Sequence, residues 1–367
     1  MRESIFKHLR LFIVLSLICL PFPVLSEIYV LFTVDVESFA KGNPKENIWG
    51  RMEGYDSAYG VPKILELLAR NGSKATFYLN VYEIAKFGDE DIKGIAQKIV
   101  AEGQDLELHT HPSPMYDEIG MSLFSLEEQE EILRKGKDLI REWTGKEPIA
   151  HRAGAYMANS NTLRALKKLG MSVDSSLSPA YGSVALLKEG YNGNDIQEIE
   201  GILEIPITYF KQMKLGSWES KRFLDVESSS LAEMKDVLDE MAENDACAVN
   251  IMMHSFSLNR YGKPDERVVD KLDALLKYVN EHPKLQSANA VDFYNAYRDK
   301  KLSCTPKRDL VPYTGFVLTY LRAWERFDDG WKNIAFALSL PGALAIAVSP
   351  ILIGRLNKRR PPLRRGK

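Results

Sequence analysis

Two acids one residue apart, Asp35 and Glu37, close the apolar run at residues 30–36. In an extended strand side chains alternate between faces, so both carboxylates point one way while Val34 and Val36 point the other. Like charges at one mouth repel, and a cation, an arginine or water must offset the cost. That arrangement suits a metal ligand, a catalytic base or, more plainly, a solvated strand end. A second pair repeats the spacing: His109 and His111 flank Thr110 and are followed by Pro112. Two imidazoles on one strand face, with one carboxylate and an open fourth position, make the donor set of a catalytic zinc site. The stretch His151-Arg152-Ala153-Gly154-Ala155-Tyr156 adds an arginine that can keep a carboxylate ionised and oriented; a surface salt bridge would need the same residue. It also puts a glycine where the backbone must approach something closely. His254 ends the apolar run 248–253, and burial beside a carboxylate brings an imidazole into range for acid or base work. Asp174 is the candidate partner for it, and a turn-capping role for Asp174 fits equally well.

These residues need elements to hold them. From residue 27 to about 298, runs of β-branched and aromatic residues alternate with helical periodicity, which argues for an α/β chain of βα units around a largely parallel sheet or barrel. The expected strands are 28–36, 75–79, 105–109, 149–152, 171–174, 203–209, 248–254 and a last short one within 285–293 that enters a helix. Ser125 with Glu128, and Ser230 with Glu233, have the spacing of capping boxes at helix starts. Every residue singled out above lies at or beside a strand end, the place where barrels and open α/β sheets carry their functional face.

The bulk composition narrows the classes. The chain has 367 residues, 45% of them hydrophobic and 27% charged, enough for a sizeable core. A formal charge of -2 and no basic cluster before the far C-terminus argue against nucleic-acid partners. Cysteines at 19, 247 and 304 are too few for a disulfide framework or a cysteine zinc site; Cys247 reads by default as a buried free thiol, with a Cys247–Cys304 bridge as the lesser alternative. Residues 1–26 have the basic, apolar and small-residue parts of a cleaved signal peptide. The globular domain is expected over 27–300, a juxtamembrane segment over 301–331, and a transmembrane helix over 332–354. The basic tail 355–367, with seven Lys and Arg residues, marks the cytoplasmic side and puts the domain outside the cell membrane.

Thr-Val-Asp-Val-Glu, His-Thr-His-Pro, His-Arg-Ala-Gly, Val-Asp-Ser-Ser and Met-His-Ser-Phe occur in that order, and the series resembles the polysaccharide deacetylases, carbohydrate esterase family four, in their Asp-Val-Glu form. The resemblance spans residues 28–298. It implies a distorted (β/α) barrel with fewer than eight strands, here seven, and metal-dependent removal of N- or O-acyl groups from a carbohydrate or a membrane glycolipid. By the same resemblance Asp35 is the base, Glu37 and His109 ligate a divalent metal such as zinc, and Arg152 holds the base. A backbone N–H at Ala155 or Tyr156 binds the oxyanion, and His254 is the general acid, oriented by Asp174. One position departs from the pattern. The usual second metal histidine lies four residues after the first, where this chain has Ser113. His111 takes over by strand alternation, or the metal is held differently or lost. Deformylation or other amide hydrolysis on a membrane glycolipid, and a catalytically dead carbohydrate-binding barrel, are the alternatives.

Overall fold

The structure, a computed structural model, describes residues 27–339 apart from 39–41, 182–184, 216, 303 and 327–330. The expected signal peptide, most of the expected membrane helix and the basic tail lie outside the described residues.

The sheet is built from β1 (Ile28–Val36), β2 (Thr76–Asn80), β3 (Asp105–Thr110), β4 (Ala150–Ala153), β5 (Val173–Asp174), β6 (Gln197–Ile199) and β7 (Ile202–Glu204). A hairpin follows, β8 (Tyr209–Leu215) and β9 (Trp218–Phe223), then β10 (Ala248–His254), a short pair β11 (Asn259–Arg260) and β12 (Lys263–Pro264), and β13 (Leu285–Ala288). Seven strands run parallel in the order β10-β1-β2-β3-β4-β5-β7; β6 is antiparallel at the edge, and β13 pairs with the first half of β1. The gap between β7 and β10 is bridged by irregular chain. Thr208 N–H donates to the Asn250 carbonyl at 3.2 Å, and Met252 exchanges backbone bonds with Leu224 and Val226 at 3.1 Å each. The result is the barrel-like sheet expected, distorted at that seam. Pro206 stands in the seam without an N–H to give a ladder, so the expected strand 203–209 ends at Glu204 and Tyr209 opens a separate hairpin.

β1 shows how the sequence builds two layers. Val30, Phe32, Val34 and Val36 pack against the surrounding helices, while Leu31 faces the barrel interior with Tyr78, Ala150 and Leu203. Above that small apolar floor the interior turns polar, with Thr33, Asp35, Arg152, Ser175 and Asn250 all buried. The outer helices bury one stripe each. Val61–Asn71, for example, buries Val61, Ile64, Leu65 and Leu68 and ends at Gly72, whose φ of 60° is the left-handed cap that glycine accepts without strain. Both capping boxes form: Ser125 and Glu128 exchange bonds at the start of Leu126–Thr144, and Ser230 and Glu233 at the start of Leu231–Glu243.

Cys247 is not a free thiol. It forms a disulfide with Cys304, with Cα atoms 5.3 Å apart. Tertiary packing decides this, because Asp195 Oδ2 accepts the N–H of Cys247 at 3.0 Å and that of Lys307 at 3.1 Å, drawing two distant backbones together. Described residues beyond 301 pack on the barrel: Tyr313 bridges to Lys211 and Arg322 pairs with buried Glu233 at 3.3 Å, while Tyr320 in the helix Gly315–Glu325 donates to the Ala337 carbonyl at 2.8 Å within the segment itself. Among the described residues no helix is long and apolar enough to cross a membrane.

Candidate active site

Strand register assembles the site. Asp35 stands opposite His254, Asn80 opposite His109, His109 opposite Arg152, and His151 opposite Asp174. The parallel register brings the C-terminal ends of strands of different lengths together, so residues far apart in sequence meet at one mouth.

Asp35 is buried, and its Oδ1 accepts from Arg152 Nη1 at 2.6 Å. The guanidinium is fully enclosed. Nη2 donates to Thr33 Oγ1 and Ser175 Oγ at 2.9 Å each, Nε donates to the Ser175 carbonyl at 3.1 Å, and the group lies 4.3 Å from the centre of the Tyr78 ring. Four of the five N–H groups of Arg152 are therefore committed, one of them to Asp35. The surface salt bridge that the sequence also allowed is absent here, because the pair is buried.

Glu37 lies just past the end of β1. Its Oε2 is 2.9 Å from His111 Nε2 and 3.5 Å from His109 Nε2, and its Oε1 is 3.7 Å from His254 Nε2. Burial raises its pKa, yet His111 and His109 outweigh burial and hold the carboxyl well below its ordinary range. His109 Nδ1 faces the Arg152 carbonyl at 2.9 Å, and a carbonyl only accepts, so Nδ1 carries the proton. Nε2 is buried and has no hydrogen-bond partner among the described residues. An imidazole held at one nitrogen and bare at the other is the usual preparation of a metal ligand. One donor atom from each of Glu37, His109 and His111 lies within 4.8 Å of the others. These residues fit a divalent ion. Ser113, in the position of the expected second histidine, is exposed, while His111 turns back toward Glu37.

The glycine in the His-Arg-Ala-Gly stretch has the close approach its sequence suggested. A Cβ on Gly154 would fall 2.4 Å from the His111 ring. Just after it, Ala155 and Tyr156 adopt φ of 49° and 57°, a left-handed conformation uncommon for residues with side chains.

His254 ends β10 with its ring stacked on Phe256, 4.7 Å between centroids. The carboxylate that orients it is Glu227 and not Asp174: Glu227 Oε1 is 2.6 Å from His254 Nδ1 and also accepts from Ser257 Oγ at 2.5 Å. Burial opposes both charges, but each partner outweighs it for the other, pushing His254 up to about 10 and Glu227 down to about 2. Asp174 is committed elsewhere. Its Oδ1 meets His151 Nδ1 at 2.6 Å, and His151 Nε2 meets Thr110 Oγ1 at 3.0 Å, a fully buried tie across β3, β4 and β5. The two-residue strand β5 places Asp174 across from His151, and its carboxylate serves that ring instead of His254. Glu227 had no signal in the sequence, since it sits in the irregular seam beside the Asp225–Met252 bridge.

Residues 53–173 match the family described as polysaccharide deacetylase, hydrolases of amide bonds. A polysaccharide deacetylase structure from Mycobacterium smegmatis, described as putative, superposes with a TM-score of 0.54 at 17% identity, covering 78% of this chain and 95% of that one. A probable polysaccharide deacetylase from Pseudomonas aeruginosa PAO1 gives 0.50 at 16% identity, covering 76% and 93%. An allantoinase gives 0.50 at 14%, covering 76% and 92%. At these identities the likeness is one of fold. No curated protein matches the sequence.

Proposed function

We propose that this chain, which carries a polysaccharide deacetylase domain, is a metal-dependent hydrolase removing N-acetyl or O-acetyl groups from an extracytoplasmic polysaccharide or lipid-linked sugar. The observation that carries the reading is convergence at one mouth: a carboxylate tied to a buried arginine, a Glu37–His109–His111 donor set, and an imidazole charged by Glu227. A divalent ion such as zinc, held by Glu37, His109 and His111, supplies Lewis-acid polarisation of the acyl oxygen and acidifies water. Asp35 takes the proton of the attacking water, and Arg152 keeps Asp35 aimed. His254, held protonated by Glu227, gives its proton to the leaving nitrogen, so the amine departs neutral. The turn at Ala155 and Tyr156 offers backbone N–H groups to the developing oxyanion.

The reading includes export behind residues 1–26 and anchoring by the apolar run 332–354. The Cys247–Cys304 disulfide supports an oxidising compartment. The test is acyl release by the full chain from acetylated glycans and lipid-linked sugars, with and without chelator. Release that survives chelation refutes the metal mechanism. Sugar binding without release from any substrate makes the chain a binding barrel.

A further inference from the structure

Resting on the metal reading above, we infer that Glu83 is a positioning residue for the metal ligands, holding the chain on both sides of the site through one carboxylate oxygen. Of the three ligands only His109 lies on a strand. β1 ends at Val36, before Glu37, and β3 ends at Thr110, before His111. Two ligands therefore depend on something other than the ladder.

For His111 the substitute is Asn80, the last residue of β2 and the register partner of His109. The His111 N–H donates to Asn80 Oδ1 at 3.3 Å, which continues the β2–β3 ladder by one side-chain bond. An amide side chain has two ends, and only its neighbours decide which end faces where. Glu83, in the single turn Val81–Glu83 after β2, decides it. Its Oε1 receives the Ser38 N–H at 2.6 Å and so is an acceptor; the Asn80 group facing it at 3.3 Å is the NH2, which turns Oδ1 toward His111. Ser38 follows Glu37 directly. One oxygen thus fixes the residue after the first loop ligand and the side chain that carries the second.

Glu83 is 4% exposed, and its other oxygen, with the neighbouring Ser38 Oγ, is buried and has no hydrogen-bond partner among the described residues. Burying a carboxyl with half its acceptors unused costs stability, and an apolar side chain would fill the same space without that cost.

The experiment measures zinc affinity of the full chain by competition against a fluorescent chelator, with apo-protein melting as the fold control. Glu83→Leu, which removes the acceptor, is expected to weaken zinc binding about ten- to a hundredfold. Glu83→Gln, which keeps one acceptor oxygen, is expected to restore affinity to within a few-fold of the parent. A folded Glu83→Leu chain with parental affinity overturns the assignment, as does a Glu83→Gln chain that loses as much as Glu83→Leu. Should Glu83→Leu not fold, Asn80→Ser removes the oxygen that holds His111 and leaves Glu83 in place; the same weakening supports the role and parental affinity overturns it. A parent chain that takes up no zinc identifies the failure as that of the metal reading itself.

Discussion

Gly154→Ala perturbs the ligand set without replacing a ligand. A Cβ at 154 falls 2.4 Å from His111 Cε1 and Nδ1 and 2.5 Å from Cδ2. Carbon atoms in ordinary contact sit about 3.5–4.0 Å apart, so the imidazole must retreat by about 1 Å. Metal–ligand distances tolerate only about 0.2 Å. The backbone at Gly154 lies outside the left-handed region, so alanine brings no conformational strain of its own. The His111 side chain is 28% exposed and can swing outward, which takes Nε2 away from Glu37. Overpacking costs about 1–3 kcal/mol, and removing glycine's freedom from the unfolded chain returns about 0.4–1 kcal/mol, so the variant stays folded. Its zinc affinity is expected to fall at least as far as on losing an outer hydrogen-bond partner, about ten- to a hundredfold, and acyl release with it. Chelator competition and acetate release on the same preparation measure both. A folded Gly154→Ala chain with parental zinc affinity and turnover would show that His111 is not a ligand, and the donor set would have to be redrawn.

His254→Ala is expected to lower turnover about a hundredfold to ten-thousandfold while zinc affinity stays near that of the parent, and near-parental turnover would remove His254 from the mechanism. Replacing Cys247 and Cys304 together by serine opens a loop of 57 residues and is expected to cost about 4 kcal/mol on the chain-entropy scale, read from denaturant melts; an unchanged midpoint would mean the C-terminal packing holds without the bond. The Glu227–His254 pair makes stability depend on pH. His254 is raised from 6.5 to about 10, so its contribution is full below 6.5 and lost as pH rises through about 10; Glu227 is lowered from 4.5 to about 2, so its contribution is full above 4.5 and lost as pH falls through about 2. The stability gap between the parent and Glu227→Gln, measured on chelated protein, is therefore expected to be widest between pH 4.5 and 6.5. A gap that does not vary with pH would refute the pairing.

Much of the fold was legible because it rests on short-range regularities. The strand at 28–36 alternates apolar residues between helix side and interior until Asp35 and Glu37, and both capping boxes sit where Ser and Glu three apart placed them. The seam was not legible. Residues 205–208 and 224–226 have neither period two nor period 3.6, and the bonds by which Thr208, Leu224 and Val226 close the seam go to β10, more than twenty residues on. Glu227 was hidden for the same reason, and Asp174 was given its place although its register partner is His151. The disulfide needed Asp195 to bring two distant segments together, a contact no spacing of two cysteines encodes.

By itself the sequence determined which chemistry was on offer: paired acids, paired imidazoles, an arginine with a glycine, and a strand-ending histidine. Side-chain alternation is a local property of the backbone, so it already put each pair on one face. The tertiary structure decided who meets whom. Parallel register set Asp35 beside His254 and Arg152 behind Asp35, and Asn80, the last residue of β2, supplied a hydrogen bond to the His111 N–H past the end of β3. Those outcomes depend on the lengths of seven strands and the path between them, and hydrogen-bond geometry across strands is set only when the whole sheet has closed.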